Sequence, residues 1–161
     1  MSNVCLLLGS NIGNREFYFF EAVKLILHDI GRIIKSSGLY ETEPWGEKSK
    51  DLYLNKAMIV ETEFEPDIIL KKVLNIELSL GRKRTEIKYL SRTIDIDILF
   101  IDQQIINTET LTIPHPQIAF RRFVLIPLAE ICPDFIHPVF LKTISQLMNE
   151  CKDKLEVKKL G

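Results

Sequence analysis

Apolar residues first form a run in this chain and then recur at helical spacing. Val4-Cys5-Leu6-Leu7-Leu8 is unbroken and stops at Gly9-Ser10-Asn11, the pattern of a buried strand. From about Asn14 to Asp29, Phe17, Phe20, Val23, Leu27 and Ile30 fall three and four residues apart, which predicts a helix with Gly31 as its stop. The β-rich stretch from Ile33 to Glu43 ends at Pro44-Trp45-Gly46; a polar loop from Glu47 to Asp51 then leads into a long strand from about Tyr53 to Glu63. Pro66 suits the first turn of a second helix, lined on one face by Ile69, Val73, Ile76 and Leu80 and ended by Gly81. From Thr93 to Ile101 apolar and polar residues alternate with period two, which predicts a strand. Asp102-Gln103-Gln104 reads as a turn before a short strand at Ile105 to Asn107. A Pro-bounded loop at Ile113-Pro114-His115-Pro116, a helix from about Arg122 to Ile131 and a last helix around Leu141 to Cys151 complete the pattern.

This order of elements predicts an α+β fold, a ferredoxin-like βαββαβ sandwich with helices on one face of a mostly antiparallel sheet. A length of 161 residues suits a single domain, 1–161, and no repeat or linker-like block divides it. Lys plus Arg number 21 and Asp plus Glu 22, so no global charge marks a nucleic-acid coat or a membrane-surface module. Cys5, Cys132 and Cys151 are odd in number and far apart, which predicts reduced thiols rather than a disulfide framework. The first apolar run lacks the flanks of a signal peptide, and no segment approaches the ~18 apolar residues of a membrane span. The expectation is a cytoplasmic protein.

Asp95 and Asp97 are the sharpest chemical signal. Two positions along a strand span roughly 6.6 Å and share a face, so both carboxylates point the same way. Like charges on one strand face repel and call for compensation. With oxygen ligands and no Cys or His cluster beside them, Mg²⁺ is the economical answer. A solvated face, or pairing with arginines, gives the same pattern. Arg82, Lys83, Arg84, Lys88 and Arg92 put five cations into the eleven residues that lead to this pair. Guanidiniums beside metal-binding acids suit a polyphosphate, although such a run is more often a solvated loop. His115, Arg121 and Arg122 could join them. Glu77 lies near the end of the second helix, where the macrodipole disfavours an acid; it reads as a boundary residue or as the border of a nucleoside pocket. Trp45, Tyr53, Asn55 and Phe123 suit a flat aromatic ligand, or simply the core. Gly9-Ser10-Asn11-Ile12-Gly13-Asn14 follows a strand and opens a helix but matches neither common phosphate-loop spacing. A nucleic-acid-binding module is the reading from another class; it leaves the two acids unexplained.

In order along the chain, Leu8-Gly9-Ser10-Asn11-Ile12-Gly13, Tyr40-Glu41-Thr42-Glu43-Pro44-Trp45-Gly46, Tyr53-Leu54-Asn55, Glu77 with Gly81-Arg82-Lys83-Arg84, Arg92-Thr93-Ile94-Asp95-Ile96-Asp97-Ile98-Leu99, Ile113-Pro114-His115-Pro116 and Arg121 to Leu128 resemble the 6-hydroxymethyl-7,8-dihydropterin pyrophosphokinases of folate biosynthesis. The resemblance implies transfer of pyrophosphate from ATP to the pterin hydroxymethyl oxygen, with release of AMP. It implies that Asp95 and Asp97 hold two Mg²⁺ ions. Arg82, Arg84, Arg92, His115 and Arg121 would bind phosphate oxygens, with Arg82 and Arg92 most engaged in the transition state. Leu70, Glu77, Ile98 and Thr112 would border the nucleoside. The pterin would stack between Tyr53 and Phe123 near Trp45, its edge read by Thr42 and Asn55. The implied partners are the two small substrates, with no nucleic acid or membrane, and the protein would act as a monomer. Stretches from about Glu43 to Tyr53 and from Arg82 to Arg92 are the expected lids.

Overall fold

The computed structural model describes residues 1–11, 13–43, 52–81 and 94–160. Trp45, Arg82, Arg84 and Arg92, and most of both expected lids, lie outside these residues. Along the chain run β1 (Ser2–Ser10), α1 (Arg15–Asp29), β2 (Arg32–Ser36), β3 (Leu39–Thr42), β4 (Tyr53–Thr62), α2 (Pro66–Ser79) and β5 (Asp95–Ile101). There follow β6 (Ile106–Asn107), β7 (Thr112–Ile113), a 3-10 turn (Ile118–Phe120), α3 (Arg122–Ile131), α4 (Ile144–Glu150) and β8 (Val157–Leu160).

The apolar run of β1 lies at the centre of the sheet because both its edges are paired, with β4 on one side and β5 on the other, each antiparallel. β4 has ten residues and is long enough for two shorter strands to share its far side, β2 opposite 58–61 and β3 opposite 53–55. Ser37 bridges them: its N–H donates to the Ala57 carbonyl at 2.8 Å and its Oγ accepts from the Ala57 N–H at 2.9 Å. The main path is β5-β1-β4-β3-β8, and β6 and β7 form a separate two-stranded ladder. This is the expected α+β sandwich.

The helices cover both faces of the sheet rather than one. Val4, Leu6, Leu8, Met58, Val60, Ile96 and Ile98 pack with Phe19, Ala22 and Ile26 of α1 and Ile69, Val73 and Ile76 of α2. Cys5, Leu7, Ala57, Leu99 and Phe100 face the other way, against Val124, Leu125, Leu128 and Ile131 of α3 and Ile144 and Leu147 of α4. The two central strands are apolar on both faces, which is why they read as a run rather than an alternation.

Helix α1 departs from the expectation in its buried face. Phe19, Ala22, Ile26 and Ile30 are inside, while Phe17, Phe20 and Leu27 are 51%, 63% and 52% exposed. Both stripes satisfy helical spacing, but the stripe with the small Ala22 lets the helix lie closer to the sheet. Asn14 caps the helix by accepting from the Phe17 N–H at 3.0 Å. Gly31 stands where the helix stops, just past the C-cap Ile30, with its N–H on the Ile26 carbonyl at 3.1 Å; it also allows a close backbone approach, since a Cβ there would lie 2.0 Å from the Glu61 carbonyl oxygen. Gly81 after α2 takes a positive φ, +89°.

Strand β8 was not anticipated, because Val157-Lys158-Lys159-Leu160 is short and has no two-residue alternation. It is held at the sheet end by pairing with β3 and by Glu130 of α3, which accepts from Tyr40 Oη and the Gly38 N–H and pairs with Lys159 Nζ at 3.2 Å. All three cysteines are free thiols; burial holds Cys5 well above its ordinary range and pushes Cys132 up to about 11. Among the described residues no helix is long and apolar enough to cross a membrane.

Candidate active site

The strand register assembles a row of unlike residues on the α3/α4 face. Asp95 stands opposite Gly9, Gly9 opposite Asn55 and Asn55 opposite Tyr40; Thr42 stands opposite Tyr53, and Asp97 opposite Leu7. Cross-strand partners share a face, so Asp95, Asp97, Asn55, Tyr53 and Thr42 all lie on this side. Asn55 Nδ2 donates to Thr42 Oγ1 at 3.2 Å, and both side chains are buried. A Cβ at Gly9 would come within 3.2 Å of Asn55 Oδ1. Glycine here leaves room for the amide between the acid pair and Thr42.

A cleft of about 360 Å³ opens off the outer edge of β5. It is lined by Leu70, Val73, Leu74 and Glu77 of α2, Asp95 to Ile98 of β5, and Thr112 and His115, with Thr110, Leu111 and Pro116 completing the wall. Because β5 ends the sheet, side chains of both parities reach this edge. The cleft brings together Leu70, Glu77, Asp95, Asp97, Ile98, Thr112 and His115, seven residues singled out in the sequence. Asp95 belongs to both the cleft and the cross-strand row.

Glu77 is not a boundary residue. It is 2% exposed, and its Oε2 accepts the Ile96 N–H at 2.8 Å. His115 is held from both sides: its N–H donates to the Leu99 carbonyl at 2.7 Å, and its Nδ1 accepts the Gln117 N–H at 3.1 Å. The neutral ring therefore carries its proton on Nε2. Burial lowers the His115 pKa below its ordinary value, the nearby Arg121 lowers it further, and Asp95 partly offsets both. His115 is thus a neutral hydrogen-bond donor rather than one more cation. Arg121 immediately precedes α3, its guanidinium 5.8 Å from the centre of the Phe123 ring, and Phe123 packs on the cluster beneath α3.

One contact had not been anticipated. Arg15, the first residue of α1, donates Nη1 to Glu41 Oε2 and to the Leu52 carbonyl, both at 3.0 Å. It ties the end of β3 to the residue before β4, beside the Thr42 and Tyr53 pair. A cation in the first turn of a helix opposes the macrodipole, and that was the available signal that something else holds it there.

A family model described as 7,8-dihydro-6-hydroxymethylpterin-pyrophosphokinase (HPPK) matches residues 5–133, most of the chain. The chain belongs to the HPPK family. It is 43% identical over 134 residues to the 2-amino-4-hydroxy-6-hydroxymethyldihydropteridine pyrophosphokinase of Bacillus subtilis, covering 82% of this chain and 80% of that one. It is 37% identical over 150 residues to the enzyme of the same name from Aquifex aeolicus, covering 93% and 92%. Among solved structures, a Plasmodium falciparum HPPK-DHPS with pteroate matches at a TM-score of 0.75 and 17% identity, over 92% of this chain and 44% of that one. At that identity the match speaks for the HPPK fold alone. Family membership carries pyrophosphokinase activity in folate biosynthesis.

Proposed function

We propose that ATP binds in the cleft under α2 and that 6-hydroxymethyl-7,8-dihydropterin binds on the adjoining sheet face, so that pyrophosphate passes between them at Asp95 and Asp97 and AMP is released. The observation that carries this reading is the double membership of Asp95, which lines the cleft and heads the row through Gly9 to Asn55. Leu70, Ile98 and Thr112 border the nucleoside, with Glu77 beside them. Tyr53, Phe123 and Trp45 provide rings for the pterin, while Asn55 and Thr42 read its polar edge.

The two acids fit Mg²⁺. They are half-buried oxygen donors on one strand face, and among the described residues no group of three or more His, Cys, Asp or Glu forms a metal cluster. Such a donor set leaves most of the shell to water and substrate phosphates, as Mg²⁺ prefers. Two ions bound there would supply charge neutralisation on the triphosphate and hold it in line with the pterin hydroxyl. The protein's own part is positional. His115 offers Nε2–H to a phosphate oxygen, while Arg82, Arg84, Arg92 and Arg121 supply positive charge, with Arg82 and Arg92 most engaged as the transition state forms. Asn55 and Thr42 fix the pterin so that its hydroxymethyl group faces the acids. The protein acts as a cytoplasmic monomer built from one domain, without nucleic acid or membrane as partner.

The test is product analysis with ATP, Mg²⁺ and the reduced hydroxymethyl pterin. AMP and the pterin diphosphate should appear in equal amounts and only with Mg²⁺. ADP as the nucleotide product would reject pyrophosphoryl transfer.

A further inference from the structure

Among the described residues strand β5 has a strand partner on one edge only: β1 takes one side, and the sheet ends at the other. An edge strand normally leaves its outward N–H groups to water. At Ile96 the structure does otherwise. The Glu77 carboxylate, 2% exposed, takes the Ile96 N–H at 2.8 Å. Ile96 is itself 5% exposed, so both ends of this bond are withdrawn from water. Ile96 is also the residue between Asp95 and Asp97, and its N–H belongs to the peptide that joins Asp95 to it. Whatever fixes that peptide fixes the direction of Asp95 and its separation from Asp97.

The position of Glu77 in its helix points the same way. An acid in the last turn of α2 opposes the helix macrodipole, and that turn has no basic residue to offset it. A buried carboxylate in such a place calls for a specific partner, and the backbone amide of the metal-binding strand is one.

We propose that Glu77 is a positioning residue: it completes the open edge of β5 and holds the Asp95–Ile96 peptide so that both acids meet the same cations. This rests on the metal reading above and assigns Glu77 a task apart from bordering the nucleoside. Because the bond requires an acceptor oxygen rather than a charge, the amide of glutamine should serve. Replacement by alanine should leave the Ile96 N–H without a partner.

The experiment compares Glu77→Ala and Glu77→Gln with the wild type by two readouts. The first is hydrogen exchange at the Ile96 amide in protein free of nucleotide and metal. The second is a calorimetric Mg²⁺ titration in the presence of a nonhydrolysable ATP analogue. In Glu77→Ala, Ile96 protection should fall at least about tenfold and the half-saturating Mg²⁺ should rise by about tenfold, the scale expected when support for a metal ligand is removed. In Glu77→Gln both should stay within about threefold of wild type, since the acceptor survives. Unchanged Ile96 protection in the alanine variant would overturn the proposal, as would a glutamine variant that loses Mg²⁺ as badly as alanine. If the alanine variant does not fold, the glutamine variant alone decides, by keeping or losing Mg²⁺ and Ile96 protection. Wild-type protein that binds the analogue with no Mg²⁺-dependent heat would remove the metal reading itself, an outcome distinct from a failure of Glu77.

Discussion

The two faces of the sheet come from the same strands but have been put to different uses. Under α1 and α2, β5, β1 and β4 present Ile96 and Ile98, Leu6 and Leu8, Met58 and Val60, with Lys56 opposite Leu8 at the end of the apolar set. One residue over, the other face begins in the same way, with Cys5, Leu7 and Ala57, and then turns polar at Gly9, Asn55 and Asp95. The length of the covering helices explains the difference. α1 and α2 have 15 and 14 residues, about 22 Å each, whereas α3 has ten, about 15 Å, and α4 seven. The ten residues of β4 extend for about 33 Å, which neither pair spans end to end, and the shorter pair leaves more of it open. The α1/α2 face is mostly apolar and carries stability. The other is closed only in part, and the chemistry lies in the remainder.

The sharpest way to break that comparison is to change one residue on each face. Asp97→Ala should reduce AMP formation by about 10³-fold, the scale of losing a principal electrostatic element, and leave the melting temperature close to wild type. Near-normal AMP release would refute the role given to the acids. Met58→Ala, on the α1/α2 face and fully buried, should do the reverse: about 3 kcal/mol of stability lost by denaturant titration, with KM for both substrates unchanged in the fraction that remains folded. A Met58 variant that retained stability but lost substrate affinity would show that the faces are not separable in this way.

How much of this was legible in the sequence depends on whether a feature is set by parity or by distant contacts. The alternation from Thr93 to Ile101 was enough to put Asp95 and Asp97 on one face, because strand periodicity is local. Helix α1 could be placed but its buried side could not, since two apolar stripes satisfy the same spacing and only the sheet chooses the one containing Ala22. Glu77 could be flagged as an acid at the wrong end of a helix, yet its partner depends on β5 ending the sheet beside α2, and strand order is not a local property. The second task of Gly31, beyond ending the helix, is hidden for the same reason: the backbone it approaches, at Glu61, is thirty positions away. Arg15 shows only as a cation at the unfavourable end of a helix, and nothing local names Glu41 as its partner. Trp45, Arg82, Arg84 and Arg92 lie outside the described residues, so their part remains a reading of the sequence.

A gentler change sharpens the boundary between the covered and open rows. At Gly9 the site row passes from the acids to Asn55, and an added methyl would sit 3.2 Å from Asn55 Oδ1. The neighbour must yield by a few tenths of an ångström, and the amide that moves is the one bonded to Thr42. Gly9→Ala should therefore raise KM for the pterin by about fivefold, leave KM for ATP within error and change stability little. Equal rises for both substrates would mean that the row is not divided as proposed.

The smallest expected effect concerns pH, and it involves both regions through two histidines, His137 buried and His115 half-buried. His137 is 4% exposed, far from the acids, and its Nδ1 accepts the Val139 and Phe140 N–H groups at 3.2 and 3.1 Å. Burial lowers its pKa below the ordinary 6.5, as it does for His115. In this window the unfolded chain binds protons that the folded protein refuses, so stability rises with pH through it. The contribution is complete above about pH 7 and is lost as pH falls below 6.5 toward the folded-state values. Denaturant midpoints measured from pH 7.5 down to 5.5 should therefore decline modestly. His137→Asn, which keeps an acceptor near those two amides but cannot take up the proton, should flatten the decline while leaving AMP formation unchanged. An undiminished slope in that variant would assign the whole effect to His115, and so to the site rather than to the distant loop.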